Sequence, residues 1–165
     1  MNKSDELKQQ AIAHGLCEQW QNEWGSGLTD QELIDRYIRG IDFAIANDWP
    51  SVEYIKSHFD ADILHKNGIW CSEGVTEKNK VMVLNGNCTG HIIFSKFDVA
   101  TVYVRHGSKV RITAKDFARV RVCLYDKCDV FIVNNSASEL YIYRHDTGCK
   151  MQTYGNIIIR RAENN

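Results

Sequence analysis

The chain has 165 residues, of which 44% are hydrophobic and 25% are charged, as is ordinary for a soluble globular protein. Its formal charge of -1 does not by itself point to a nucleic-acid or membrane partner, and eleven glycines with one proline argue against a disordered, collagenous or proline-rich chain. Met1 to Gln10 lack the apolar run of a signal peptide, and no apolar stretch approaches the roughly 20 residues that span a bilayer. We therefore expect a cytoplasmic protein without a membrane partner.

Charge is divided unevenly along the chain. Residues 1–78 hold seven Lys/Arg and fourteen Asp/Glu, a balance of -7, whereas the remaining residues hold thirteen Lys/Arg and seven Asp/Glu, a balance of +6. Either the two halves complement each other in one folded unit, or the basic half meets an anionic partner.

The acidic half has the patterns of helices. Ser4 is the predicted N-cap of a first helix, with Gly15 as a break. Thr29 followed by Glu32 is a capping box that predicts a second helix. An apolar stripe at steps of three or four residues follows the capping box and consists of Ile34, Ile38, Ile41 and Ile45.

A shorter third helix is predicted after Pro50, and Asn67 with Gly68 ends the helical region. We therefore divide the chain into an acidic helical cap over residues 1–70 and a basic repeat region over residues 71–165. The two regions are expected to fold as one cooperative unit.

The basic half repeats with a period of about ten residues. Each unit has an aliphatic anchor, preceded two residues earlier by a small residue in all units but the first, which has Asn79, and usually followed two residues later by a second apolar residue. The anchors are Val81, Ile92, Val102, Val110, Val120, Val130, Leu140 and Met151. Because apolar side chains alternate, each unit predicts a short strand with one buried face.

Strands at this spacing form either an antiparallel meander or sandwich, or a solenoid. The small residue favours the solenoid, because in a coiled chain it returns to the same corner of every coil. Ten residues are too few for a coil, so two units would form one coil of about twenty residues with two parallel sheets. We predict an α+β fold in which an N-terminal α-helical cap precedes a short parallel β-solenoid. The antiparallel meander or sandwich is the alternative.

The segments that begin at Ser108 (SKVRI), Ala118 (ARVRV) and Cys128 (CDVFI) resemble the repeats of small, largely uncharacterised β-solenoid proteins of bacteria and phages. The resemblance covers roughly the last 85 residues. It implies the fold, and because it brings no catalytic motif it implies no functional residue.

One predicted sheet carries arginines and tyrosines on its outer side, together with Lys80, Met82 and Leu84. The residues that we select as a ligand- or partner-binding face are Tyr103, Arg105, Arg119, Arg121, Tyr141 and Tyr143. Guanidinium groups pair with phosphate or carboxylate, and aromatic rings stack on bases or sugars. The same composition suits a protein interface, so the acidic helices or a second subunit are alternative occupants of this face.

Two further residue pairs occupy related positions in neighbouring coils. Asp98 and Asp116 each precede an anchor by four residues, so we predict that they stack about 5 Å apart in neighbouring coils. Such a pair of carboxylates would bind a cation or raise the pKa of one of its members. The alternative is that each aspartate bonds to its local backbone. Cys128 and Cys149 share the small-residue position, which permits a disulfide, a metal contact or a pair of reduced interior thiols. The six cysteines show no zinc-site spacing, and we expect no metal and no cofactor.

The regular core and the lack of a catalytic motif lead us to expect a non-enzymatic binding or assembly module, with self-association or a protein partner. The alternative is binding of an anionic polymer, nucleic acid or acidic polysaccharide, by the basic-aromatic sheet. The third hypothesis is a polysaccharide-active enzyme centred on Asp98 and Asp116.

Overall fold

The computed structural model describes residues 1–135 and 137–161. The chain forms two compact units, Met1–Ile63 and a second that begins at Leu64. The described helices are α1 (Lys3–Ala13), α2 (Glu18–Glu23), α3 (Asp30–Arg39), α4 (Ile41–Ala46), α5 (Val52–His58) and α6 (Ala61–Lys66).

The N-cap of the first helix lies two residues earlier than predicted. Asn2 is the N-cap of α1, and its side chain accepts a hydrogen bond from the Asp5 N–H at 2.9 Å. Ser4 is buried instead, where its hydroxyl accepts from Trp24 Nε1 at 3.2 Å and donates to the Gly25 carbonyl at 3.3 Å. The prediction of Ser4 as the cap is therefore wrong, whereas α1 does end at the predicted break near Gly15.

The capping box is confirmed, because Thr29 and Glu32 exchange both hydrogen bonds at the start of α3. The helix that follows is divided at Gly40 into α3 and α4. The apolar side chains of this unit pack into their own core, whose buried members are Leu7, Ala11, Leu16, Trp24 and Leu33.

The strands are β1 (Ile69–Cys71), β2 (Val81–Asn85), β3 (Thr89–Phe94), β4 (Val99–Val104), β5 (Lys109–Ala114), β6 (Arg119–Leu124), β7 (Asp129–Asn134), β8 (Glu139–Arg144), β9 (Lys150–Gly155) and β10 (Ile158–Arg161). They form a six-stranded sheet in the order β1-β2-β4-β6-β8-β10 and a four-stranded sheet in the order β3-β5-β7-β9.

Every pairing between these strands is parallel, so the predicted sequence of N-terminal helices and a parallel β-solenoid is confirmed, with about four turns. The antiparallel alternative is wrong. Val102 pairs with Val122 and Val122 with Ile142, which gives the predicted coil of about twenty residues with two strands per coil. The aliphatic side chains between the two sheets form one continuous core.

The register of the first coils differs from the prediction. Met82 pairs with Val102, so Met82 and Leu84 point into the core, and their predicted outward orientation is wrong. The run from Val81 to Leu84 is apolar at every position, so alternation does not determine which side is buried. In the next coil Ala100 pairs with Val120, which moves the anchor two residues earlier than predicted. The anchor there is a small residue, which a search for aliphatic anchors passes over.

Candidate functional site: the Arg–Tyr face and the end of the solenoid

The outer side of the six-stranded sheet brings together five of the six predicted site residues. Parallel pairing aligns them in three rows, which we call the Arg–Tyr face. The rows are Val99, Arg119 and Glu139; Thr101, Arg121, Tyr141 and Ile158; and Tyr103, Cys123, Tyr143 and Arg160. Arg119 and Arg121 are exposed, and the three tyrosines are half-buried.

Guanidinium groups lie over tyrosine rings on this face. The Arg121 guanidinium carbon is 4.3 Å from the centroid of the Tyr143 ring, and that of Arg160 is 6.0 Å from the same centroid. Arg119 Nε lies 3.7 Å from a carboxylate oxygen of Glu139. Arg160 was not among the predicted site residues, although it follows the last apolar pair of the repeat.

Arg105, the sixth predicted residue, does not belong to the face. It follows the end of β4 and is 2% exposed. Its Nη1 donates to the side-chain oxygen of Asn85 at 3.1 Å, and its Nε lies 3.4 Å from a carboxylate oxygen of Asp126. The predicted outward orientation of Arg105 is therefore wrong, because the chain turns after Val104 and the strand's alternation ends there.

Asp98 and Asp116 do not stack on each other in neighbouring coils. Val99 pairs with Arg119, so Asp98 lies in line with Ala118 and not with Asp116. The carboxylate of Asp98 accepts from Lys78 Nζ at 2.5 Å and from the Ser95 N–H at 2.8 Å, whereas that of Asp116 accepts from the Lys96 N–H at 2.8 Å.

The Lys78 ammonium, and then the Ser95 N–H, hold the pKa of Asp98 below its ordinary value. The predicted stacking of the two aspartates is wrong, and both carboxylates bond to the corner backbone.

Cys128 and Cys149 are buried free thiols on adjacent coils, with their sulfur atoms 3.1 Å apart. Burial, together with the neighbouring thiol, raises the pKa of Cys128. This arrangement matches the reduced interior pair and not the disulfide.

An exposed aromatic pair was missed in the sequence. Phe97 and Phe117 lie in the corners before β4 and β6, with ring centroids 5.4 Å apart and planes inclined by 9°. The rings are 78% and 59% exposed. The signal was the recurrence of phenylalanine two residues before the strand in successive coils.

The end of the solenoid formed by β9 and β10 exposes part of its interior. Ile159 pairs with Ile142 and points to the same inner side, yet Ile159 is 48% exposed whereas Ile142 is 0% exposed. In β9, Met151 and Thr153 pair with Val130 and Ile132 of the inner side, and Met151 is only partly buried while Thr153 is exposed.

Within residues 1–135 and 137–161, no group of three or more His, Cys, Asp or Glu side chains is placed to hold a metal ion. No helix in these ranges is long and apolar enough to cross a membrane. Comparison of the chain with protein-family models, curated proteins and solved structures finds no match.

Proposed function

We propose that the protein is a non-enzymatic assembly module that associates with a second copy of itself through the end formed by β9 and β10. The observation that carries the proposal is the exposure of Ile159 on the inner side of β10. An interior position left open to water retains apolar surface that a partner can bury.

The strands at this end supply a second reason for association. β10 and β9 are the last strands in the order of their sheets. An edge strand presents backbone N–H and C=O groups that pair readily with another strand edge. A second copy brings the same strand edges and the same exposed apolar side chains, so both requirements are met by one partner.

Two identical ends associate most simply about a two-fold axis. Such an axis reverses the strand direction, so the pairing across the interface would be antiparallel. The assembly would close at two subunits and extend the apolar interior across the contact.

The test compares lysine substitutions at two adjacent positions of β10. Ile159 points to the inner side and Ile158 to the Arg–Tyr face, with exposures of 48% and 47%. In light scattering, we expect the wild type and Ile158→Lys to have the mass of a dimer and Ile159→Lys that of a monomer. Circular dichroism checks that both variants are folded.

Equal masses for the two variants, whether both are dimers or both are monomers, would contradict association through the inner side of β10. A monomeric wild type would contradict self-association altogether.

A second candidate function is binding of an anionic polymer by the Arg–Tyr face. The charged side chains in its three rows are Arg119, Arg121, Arg160 and Glu139, so positive charge prevails beside the tyrosines. This function predicts that heparin or an oligonucleotide binds at low salt and dissociates as salt rises. The double variant Arg119→Glu/Arg121→Glu should lose this binding and remain folded, because both side chains are exposed. Unchanged binding would contradict this function.

A further inference from the structure

We infer that the Arg–Tyr face, together with the adjoining solenoid corner that carries Phe97 and Phe117, binds single-stranded nucleic acid. A base stacks on the exposed phenylalanine, and the phosphates meet the neighbouring lysines and arginines. This inference rests on the second candidate function and names its ligand.

The aromatic pair has the geometry of a stacking platform. Its planes are inclined by only 9°, and Phe97, at 78% exposure, has most of its ring open to solvent. Val99, directly beyond the corner, is 63% exposed and extends the apolar surface. Adjacent exposed apolar side chains mark interaction surfaces, and a phenylalanine ring offers stacking or apolar contact and no hydrogen bond.

An open groove of about 700 Å³ lies beside this pair. Its lining includes Lys78, Lys80, Phe97, Asp98, Val99 and Thr101. Thr101 pairs with Arg121, so the groove adjoins the middle row of the Arg–Tyr face. A ligand on Phe97 therefore lies next to the guanidinium groups.

The charge around the platform is positive. The groove, the two corners and the first two rows of the face contain six basic and three acidic residues: Lys78, Lys80, Lys96, Lys115, Arg119 and Arg121, with Asp98, Asp116 and Glu139.

The acidic groups already have partners, because Asp98 is paired with Lys78, Asp116 accepts from the Lys96 N–H and Glu139 lies near Arg119. Lys80 and Lys115 are exposed.

A single strand suits this combination better than a duplex does. Its bases can leave the stack and lie on an aromatic ring, whereas a duplex keeps its bases paired and presents mainly its backbone. An acidic polysaccharide meets the same basic groups but has no aromatic base for the ring, so heparin is the comparison ligand.

The experiment measures fluorescence anisotropy of a labelled oligo-dT of about 15 nucleotides, a length that matches known single-strand sites. A duplex of the same length and heparin are tested as competitors. The variants are Phe97→Ala, Phe97→Tyr and the control Phe131→Ala, whose ring lies near Arg111 on the outer side of the four-stranded sheet.

We expect the wild type to bind oligo-dT more tightly than the duplex. Phe97→Ala should weaken oligo-dT binding by roughly 5- to 150-fold, the cost of losing one base stack. Heparin binding should be unchanged in this variant, Phe97→Tyr should bind like the wild type, and so should Phe131→Ala. Because Phe97 is so exposed, its substitution should leave the fold intact.

Oligo-dT binding that is unchanged in Phe97→Ala would overturn the inference. If Arg119→Glu/Arg121→Glu still abolished heparin binding, the second candidate function would stand without it. A wild type that binds neither heparin nor any oligonucleotide at low salt would overturn both.

Discussion

Val120 and Arg121 are neighbours in β6 whose side chains point to opposite sides of the sheet. Val120 is 1% exposed and pairs with Ala100 and Leu140 on the inner side. Val120→Ala removes two methylene-sized groups, or about 1.6 kcal/mol at about 0.8 kcal/mol each. The space left between the coils adds about 1 kcal/mol, so we expect a loss of about 2.5 kcal/mol in the free energy of unfolding.

The matched substitution Arg121→Ala removes the contact between its guanidinium carbon and the Tyr143 ring at 4.3 Å. An exposed contact of this kind contributes about 0.5 to 1 kcal/mol. Urea denaturation followed by circular dichroism, at one protein concentration for all samples, measures both effects. Val120→Asp extends the series, because an unpaired buried charge should cost several kcal/mol.

Equal losses in Val120→Ala and Arg121→Ala would refute the register of β6 and with it the position of the Arg–Tyr face. A larger loss in Arg121→Ala would refute it as well, since that residue would then be the interior one.

Three further predictions concern the helical unit, the thiols and catalysis. Thr29→Ala should lower the stability of α3 by roughly 1 kcal/mol, because the cap hydroxyl is lost. In the native protein the backbone N–H of Thr29, and then its hydroxyl, hold the pKa of Glu32 below its ordinary value. NMR titration of the variant, which lacks the hydroxyl, should therefore find a higher pKa for Glu32. Since the folded pKa is depressed, the stabilising effect of Glu32 is present above the ordinary glutamate pKa of about 4.3 and is lost as pH falls through the folded value. In the native protein a thiol reagent should modify Cys17 quickly and the five buried cysteines slowly, and equal rates would contradict the buried thiols. On a panel of acidic glycans we expect no turnover; turnover that disappears in Asp116→Asn would favour the enzyme hypothesis instead.

The solenoid was predictable because its main determinant is periodic. Apolar alternation recurs along the eight units, and seven of them have a small residue two positions before the predicted anchor. Both patterns follow from packing between parallel coils. The register failed in the first three units, where the pattern lost its contrast or the anchor position holds a small residue, as Gly90 does opposite Val110. The run from Val81 to Leu84 is apolar on both sides, and at Ala100 the anchor is itself small.

The candidate site was predictable where side chains belong to a strand and not where they belong to a corner. Tyr103, Arg119 and Arg121 follow from alternation, whereas Arg105 and Phe97 lie in turns. The side-chain direction there depends on three-dimensional neighbours such as Asn85 and Phe117, which no local pattern reveals. The exposed end at Ile159 likewise depends on which strand is last in its sheet.

The solution mass of the wild-type protein tests association through the end of the solenoid most directly. Light scattering at about 0.05 M and about 0.5 M salt separates an apolar contact from an electrostatic one, because screening weakens only the latter strongly. The account predicts twice the chain mass of 19.0 kDa at both salt concentrations. A mass of one chain at both would contradict it.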